Sequence, residues 1–355
     1  MQFPFSKPLQ VVELAGVLAG PAVGLFFAEL GATVIKVENP RTGGDITRGW
    51  RLASEPPAPT LSAYYCAVNW RKQVVWADLE QTDDRDRVRQ LIQTADIVIS
   101  NFKQSAALRM GMDYPTLREL NPQLIFAHLS GYGETDDTPA FDVVLQAETG
   151  FMYMTGAAEG APTKMPVALI DILAAHQLKA GILLALLHRA THGRGGEVRV
   201  SLQDAALASL ANQATNYLMA NHIPQRAGSL HPNIAPYGES FSTADGVAIV
   251  LAVGNEKQFG QLCGCLDAPL IANDPRFATN TLRLTHRAAL QTALAQAFAQ
   301  KKAATLLPIL KTNGVPCGAI NDMATVMATD AAQRLILEEN GTKRIKTAVF
   351  EYKSS

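Results

Sequence analysis

The stretch LQVVELAGVLAGPAVGLFFAELGATVIKVE, residues 9–38, decides the architecture of this chain. Its apolar start, residues 9–14, predicts a buried strand, and a tight glycine-containing turn follows at 15–20. Pro21 suits the first turn of a helix, and Gly31 suits its end. Residues 33–37 predict the next strand. A strand–helix–strand unit of this length favours two parallel strands.

The same alternation continues along the chain. The apolar patterns predict strands at 74–77, 96–100, 124–129 and 197–201, and helices at 84–94, 114–120, 172–189 and 202–219. Alternating strands and helices are typical of a doubly wound sheet covered by helices on both faces. We therefore expect an α/β fold with a large Rossmann-like domain at residues 1–225.

The character of the sequence changes near residue 221. Residues 226–237 are rich in Gly, Pro, His and Asn and predict a loop or linker. The following patterns predict strands at 239–242 and 247–253, helices at 256–266, 286–299 and 303–312, and a turn at 314–318. We expect a smaller α+β domain at residues 226–325. A final segment, 326–355, is predicted to carry a helix and short strands at 342–345 and 348–352 and to return to the large domain.

Composition excludes several classes of protein. Hydrophobic residues make up 48% and charged residues 18% of the 355 residues, so the chain can bury a core and is not disordered. A formal net charge of -1 without charge blocks argues against nucleic acid as a partner. The first eight residues lack a signal-peptide pattern, and the most apolar helix carries His176, Gln177 and Lys179. We expect a cytoplasmic protein that does not associate with membranes.

Neither a metal site nor a dinucleotide site is predicted. The four cysteines, of which Cys263 and Cys265 form a lone Cys-Gly-Cys, favour free thiols in a reducing compartment. Gly16, Gly20 and Gly24 have GxxxGxxxG spacing rather than GxGxxG. Pro21 also removes an N–H group that a pyrophosphate would need. The glycine spacing instead indicates close contact between a helix and the sheet.

Asp171 is the lone charge within MPVALIDILAA, residues 165–175. It stands where a long helix begins, and a carboxylate there can accept backbone N–H groups and feels the positive end of the helix dipole. One interpretation is a structural helix cap. The other is a poorly hydrated nucleophile that attacks an acyl group. A single residue can fill both roles.

Cations and apolar side chains gather near predicted strand ends, where ligands bind in open α/β sheets. Asn101 and Phe102 end one strand, followed by Lys103, Arg109 and Met110, and the segment NWRK at 69–72 adds two cations before another strand. Together these residues suggest a site for an anionic, nucleotide-like ligand, with cations at the phosphates and apolar side chains against an adenine.

Across nearly its whole length the chain resembles the family III CoA-transferases. This CaiB/BaiF group includes formyl-CoA and carnitine CoA-transferases and the α-methylacyl-CoA racemases. Recognisable pieces are AGPA at 19–22 and THGRGGEVRVSLQDA at 191–205. The other matching stretches, all in order, are 9–38, 44–48, 69–79, 95–110, 120–122, 131–133, 141–150, 226–237, 254–259 and 314–318.

The resemblance implies roles for particular residues. The family's catalytic aspartate falls on Asp171, about 30 residues after the motif at Phe141–Asp142. It attacks an acyl-CoA thioester, passes through a mixed anhydride and an aspartyl-CoA thioester, and CoA leaves on a carboxylic acid. The implied CoA contacts are Val17, Leu18, Lys72, Asn101, Phe102, Arg109 and Met110, with Arg41 replacing a basic residue that the family often has at the position of Asn39. The implied substrate pocket includes Phe141, Asp142 and Glu256.

The resemblance also implies partners and leaves alternatives. Members form interlocked homodimers, hold no permanently bound cofactor, and use CoA as a substrate. Racemases of the family need a protonatable histidine where this chain has Phe141, which favours transfer over racemisation. The chain ends at Ser355, nearer to racemase length, so a racemase-like isomerase and a non-catalytic CoA-binding homologue stay as alternatives.

Overall fold

The structure is a computed structural model that describes residues 8–56, 61–339, 341–351 and 353. The chain divides into two compact units. The first comprises Met1–Tyr153, Thr163–Pro224 and Arg334–Ser355, and the second comprises Met154–Pro162 and Gln225–Gln333. These bounds place residues 154–162 in the second unit, which the sequence did not predict. Residues 1–7, which carry most of the signal-peptide argument, and Tyr352 lie outside the described residues.

A six-stranded sheet forms the centre of the first unit. Its strands are β1 (Gln10–Leu14), β2 (Thr33–Glu38), β3 (Lys72–Trp76), β4 (Ile97–Ser100), β5 (Ile125–Ser130) and β6 (Gly196–Ser201). Their order is β3-β2-β1-β4-β5-β6, and every neighbouring pair is parallel. This is the Rossmann strand order, and it confirms the predicted α/β class. The order reverses between β1 and β4, where ligands bind outside the carboxyl ends of the strands.

Ten α-helices begin within the described residues of the first unit. They are α1 (Ala19–Glu29), α2 (Ala63–Val68), α3 (Thr82–Gln93), α4 (Gln104–Met110), α5 (Tyr114–Leu120), α6 (Asp142–Glu148), α7 (Phe151–Met154), α8 (Leu169–His192), α9 (Leu202–Ala208) and α10 (Ala211–Ala220). The single helix predicted at 202–219 is wrong. The hydroxyl of Ser209 donates to the carbonyl of Ala205 at 2.7 Å, and Ala211 has a φ of 47°, so the helix breaks between them.

Small residues let α1 approach the sheet closely. A Cβ added at Gly20 would lie 2.5 Å from the Cβ of Ala15, and one at Gly24 would overlap the carboxylate of Glu13. The helix-to-sheet contact expected from the glycine spacing is therefore present, and larger residues at either position would displace α1.

Helix α8 is a core helix that carries Asp171 in its first turn. One stripe of it, including Ala174, Leu178 and Ile182, is fully buried among side chains of α1, β4 and β5. Its opposite side exposes several leucines. By length and composition α8 is the one described helix that could cross a membrane, but 44% of its apolar window is buried within the chain.

The second unit contains a small antiparallel sheet. Its strands, in the order β7-β8-β9, are β7 (Tyr237–Ser242), β8 (Ala248–Ala252) and β9 (Cys317–Ala319). Its helices are α11 (Glu256–Cys265), α12 (Pro269–Ala272), α13 (Asn280–Thr285), α14 (Arg287–Phe298), α15 (Ala303–Thr312), α16 (Met323–Met327) and α17 (Asp330–Gln333). The turn predicted at 314–318 extends only to residue 316, because Cys317 pairs with Leu251 of β8.

The C-terminal segment of the first unit forms a hairpin of β10 (Ile336–Glu339) and β11 (Thr342–Ile345). Arg344 forms an ion pair with Glu29 at the end of α1, at 2.6 Å. The same carboxylate accepts the backbone N–H groups of Thr347 and Ala348, at 3.0 and 2.6 Å. The strand predicted at 348–352 is absent from its described residues, since these N–H groups bond to a side chain instead of a neighbouring strand.

Candidate active site

The turn between β1 and α1 is held by two loops at the carboxyl edge of the sheet. The N–H of Gly16 donates to the amide oxygen of Asn101 at 3.2 Å, and Asn101 donates back to the Gly16 carbonyl at 3.1 Å. The N–H of Val17 donates to the carboxylate of Asp45 at 3.2 Å. Val17 has a φ of 71°, a left-handed conformation that costs energy in a β-branched residue and is concentrated at functional sites.

Asp45 belongs to a buried charge cluster under this turn. The ammonium of Lys36 lies 2.9 Å from Glu13 and 3.1 Å from Asp45, and all three side chains are almost fully buried. Burial opposes the charge of Lys36, but attraction by the two carboxylates outweighs it, so the pKa of Lys36 is raised. The cluster therefore fixes Asp45, and through it Val17, without needing water.

Lys72, which was predicted to contact CoA, belongs to the same cluster. Its ammonium lies 2.7 Å from Glu13, 2.8 Å from the Pro21 carbonyl and 3.0 Å from the Asn69 amide oxygen. The side chain is 0% exposed, and this burial lowers its pKa to about 8 despite the attraction of Glu13. Its three donors are occupied by groups inside the protein.

A cleft of about 480 Å³ opens beside the first turns of α6 and α8. We call it the Asp171 cleft. Its lining residues are Val17, Leu18, Trp50, Tyr64, Phe141, Asp142, Val143, Lys164, Pro166, Val167, Ala168, Asp171 and Ile172. Five residues singled out from the sequence meet here: Val17, Leu18, Phe141, Asp142 and Asp171. The sequence analysis missed Trp50, Tyr64 and Lys164, whose segments carry no motif that marks them as site residues.

The carboxyl group of Asp171 is buried without a hydrogen-bond donor from any described residue. Burial raises its pKa to about 7, and repulsion from Asp142 adds to the shift. We expected helix N–H groups to stabilise the anion. In the structure the Asp142 carboxylate accepts the N–H of Ile170 instead, at 2.7 Å, which caps α8 from another helix.

Asp142 also fixes the segment that leads into α8. Its carboxylate accepts a hydrogen bond from the side chain of Gln146 at 2.6 Å. Gln146 is fully buried, and its amide oxygen accepts the N–H of Met165 at 2.8 Å. Residues 165 and 170 are thus both attached to α6, which holds one wall of the cleft in place.

Phe141 lines both the Asp171 cleft and a neighbouring cavity of about 230 Å³. That second cavity, which we call the Phe102 cavity, is also lined by Asn101, Phe102 and His128. Burial, together with the charge of Arg199, lowers the pKa of His128 to about 4, so the imidazole is neutral at physiological pH. Phe141 is therefore part of the wall of both spaces.

Two predicted arginines lie at the rim of the sheet's carboxyl edge. Arg41 pairs with Asp78 at 3.2 Å, and Arg109 pairs with Glu80 at 2.7 Å. The arginine side chains are 71% and 61% exposed, whereas the Asp78 and Glu80 side chains are 4% and 49% exposed, so both guanidinium groups are open to solvent.

Met110 and Glu256 were also predicted to belong to the site, and both make contacts inside the protein. Met110 is 8% exposed and belongs to the core under α3. Glu256 lies in the second unit, where its carboxylate pairs with Arg283 at 2.5 Å and accepts the N–H of Asn280 at 3.0 Å. The hydrogen bond from Arg283 lowers the pKa of Glu256.

Among the described residues no group of three or more His, Cys, Asp or Glu side chains is placed to hold a metal ion. All four cysteines are free thiols.

Comparisons with known proteins show the family of this chain. The model of CoA-transferase family III matches residues 7–350. A succinate–glutarate CoA-transferase of Agrobacterium fabrum is 41% identical over 96% of this chain and 88% of its own length. An acetyl-CoA:oxalate CoA-transferase of Acetobacter aceti is 33% identical over 94% and 85%. The crystal structure of a CaiB/BaiF family protein from Brucella suis, 38% identical, superposes with a TM-score of 0.88 over 99% of this chain and 93% of that one. This chain belongs to CoA-transferase family III and is a CoA-transferase.

Proposed function

We propose that Asp171 is the nucleophile that carries CoA from an acyl-CoA thioester to a carboxylic acid. Its carboxylate attacks the thioester carbonyl, and CoA thiolate leaves, which forms a mixed anhydride. The thiolate then attacks the aspartyl carbonyl, releases the donor acid and forms an aspartyl-CoA thioester. The acceptor carboxylate displaces CoA to form a second anhydride. Attack of the thiolate on the acceptor carbonyl yields the new acyl-CoA and restores Asp171.

The observation that carries this proposal is the environment of Asp171. Its carboxyl group lines an open cleft, is buried on its other sides and accepts no hydrogen bond from the described residues. An anion without donors is poorly solvated and therefore reactive toward a carbonyl carbon. A carboxylate used only as a structural cap would be expected to bond to backbone N–H groups, as Asp142 does with Ile170.

We place CoA along the carboxyl edge of the sheet. Arg41 and Arg109 are suited to the phosphates, since the side chains of both are largely exposed. The Phe102 cavity is suited to the pantetheine arm, which would pass Phe141 to bring the thioester to Asp171. Val17 and Leu18 line the last part of that path.

We infer that the exchanged acids are dicarboxylates. The Agrobacterium relative is named for succinate and glutarate, and the Acetobacter relative for oxalate. Succinate, glutarate and oxalate each carry a second carboxylate beyond the one that accepts CoA. The identity of 41% over 96% of the chain favours acids of the succinate and glutarate type as substrates.

We further propose that the active protein is a homodimer. Leu184 and Leu187 of α8 are 68% and 64% exposed, and Leu218 and Met219 of α10 are 77% and 82% exposed. No residue of α10 is buried. A helix that buries none of its apolar side chains is typical of a protein interface.

The covalent mechanism can be tested by trapping. The protein would be incubated with succinyl-CoA and hydroxylamine, and its peptides analysed by mass spectrometry. We expect a hydroxamate on the peptide that contains Asp171, and none in Asp171→Asn. Exchange of the α-hydrogen of an acyl-CoA without an adduct would instead support the racemase. Binding of CoA with neither reaction would support a non-catalytic homologue.

A further inference from the structure

The side chains that line the Asp171 cleft include more acidic groups than basic groups. Asp142 and Asp171 are acidic, Tyr64 is a phenol, and Lys164 is the one cation among the described lining residues. The ammonium of Lys164 donates to the Met165 carbonyl at 3.3 Å. It forms no ion pair with any part of the chain that the structure describes, and its side chain is exposed. A cation that faces a cleft without a carboxylate partner is open to an anionic ligand.

The backbone that carries Lys164 is held in a fixed position. The next residue, Met165, donates its N–H to the buried amide of Gln146 at 2.8 Å. Five residues later Ile170 is attached to Asp142, and Asp171 follows directly. Lys164 and Asp171 therefore flank one segment that α6 fixes at both ends. The rigid base limits the Lys164 ammonium to a defined part of the cleft while its side chain stays adjustable.

We propose that Lys164 binds the distal carboxylate of a dicarboxylic acid while the proximal carboxylate reacts at Asp171. The inference rests on the proposed function and adds the residue that selects its substrate class. The distal carboxylate would otherwise enter a cleft that already holds Asp142 and Asp171, where an uncompensated anion is repelled and poorly solvated. Pairing with an ammonium removes that penalty, and a monocarboxylic acid gains nothing from it.

Variants at Lys164 test the inference through the difference between two acceptors. Glutarate and pentanoate have the same chain length, but pentanoate lacks the distal carboxylate. In a reaction with a covalent enzyme intermediate, kcat/KM for the acceptor depends only on the steps after the donor has left. Transfer from succinyl-CoA to each acid would be measured for wild type, Lys164→Met, Lys164→Arg and the control Lys343→Met. Lys343 is an exposed residue of β11 that pairs with Glu338 on the hairpin surface.

We expect Lys164→Met to lower kcat/KM for glutarate about tenfold to hundredfold, the range for loss of a charged hydrogen bond. The value for pentanoate should change less than about threefold. Lys164→Arg should recover most of the glutarate activity, and Lys343→Met should match the wild type for both acids. An equal loss with both acids, or no loss with glutarate, would overturn the assignment.

A second measurement separates this inference from the proposed mechanism. Glutarate binding to wild type and to Lys164→Met would be followed by titration calorimetry. If the wild type transfers CoA to neither acid but binds glutarate, and Lys164→Met does not, the carboxylate site stands and the mechanism fails. Equal glutarate binding by both proteins, or by neither, would overturn the role of Lys164. Circular dichroism would show that the variants are folded.

Discussion

Burial and the nearby Asp142 raise the pKa of Asp171 to about 7. Attack on a thioester requires the carboxylate form. We therefore predict that kcat/KM for the acyl-CoA donor falls about tenfold per pH unit below pH 7 and is constant above it. Initial rates with succinyl-CoA from pH 5.5 to 8.5 would measure this profile.

The Asp142→Asn variant is the matched control for that profile. Asparagine keeps an oxygen that can accept the N–H of Ile170, but it removes the negative charge that helps to raise the pKa of Asp171. The midpoint of the profile should move to lower pH. A midpoint that stays near pH 7 in this variant would mean that burial alone raises the pKa of Asp171. A flat wild-type profile would contradict the nucleophile's raised pKa.

The raised pKa of Asp171 also predicts how the stability of the Asp171→Asn variant differs from that of the wild type. The folded protein holds the Asp171 proton more tightly than the unfolded chain does, since the pKa rises from 3.8 to about 7 on folding. This residue's contribution to stability is fully present below pH 4 and is lost as the pH rises to 7. Asparagine does not ionise and has no such loss. Above pH 7 the free energy of unfolding of the variant should therefore exceed that of the wild type, by an amount on the order of 2–4 kcal/mol.

Thermal unfolding at several pH values would measure this difference. The Tm gain of Asp171→Asn over wild type should grow between pH 4.5 and 7 and then level off. A variant that is less stable than wild type at pH 8 would show that the Asp171 carboxylate has favourable partners in the folded state.

The family resemblance singles out Asp171, Phe141 and Asp142 as expected site residues, but the sequence does not reveal their electrostatics. The repulsion between positions 142 and 171 depends on the packing of α6 against α8. The surroundings of a cation are harder to predict, because the local sequence does not distinguish Lys72 from Lys164. One is buried against Glu13 and the other lines the cleft. Only the tertiary structure decides which of them can meet a ligand.

At the scale of the elements, buried charges join three neighbouring strands. Glu13 of β1 binds Lys36 of β2 and Lys72 of β3, and Lys36 also binds Asp45. Removing one member of a buried ion pair leaves an uncompensated charge, which costs about 3–5 kcal/mol. We predict that Lys36→Met lowers the free energy of unfolding by this amount.

Urea denaturation of Lys36→Met beside the surface variant Lys343→Met would check the prediction. The folded fraction of Lys36→Met should also show a raised KM for acyl-CoA, since Asp45 no longer has the cation that positions it under Val17. A loss of stability below about 1 kcal/mol would mean that Lys72 and the surrounding dipoles compensate for the missing charge.

Most elements of the first unit could be predicted because their periodicity is strong and local. The strand β1, the helix α5 and the core helix α8 follow directly from apolar runs and their flanking turns. The errors have non-local or side-chain causes. β9 exists because of pairing with β8, more than sixty residues earlier, and the predicted helix 202–219 breaks at a hydrogen bond from Ser209. Neither cause has a signature in sequence periodicity.

At the scale of the whole molecule, the exposed apolar side chains of α8 and α10 require an explanation. Leu184 and Leu187 lie three residues apart and therefore on one face of α8, opposite the buried stripe. Such a face on a monomer would be an aggregation risk, whereas a second copy of the chain would bury it. We predict that the double variant Leu184→Glu, Leu187→Glu shifts the protein from dimer to monomer, because it would bury four carboxylates in the symmetric interface.

Light scattering coupled to size-exclusion chromatography would measure the mass of this variant beside Leu270→Glu. Leu270 is 88% exposed in the second unit and belongs to neither helix, so the control should keep the wild-type mass. If chains interlock, the double variant should also lose stability, because each chain would then depend on its partner for part of its core. A wild-type protein that is monomeric at micromolar concentration would contradict the dimer. A double variant that stays dimeric would place the interface on another surface.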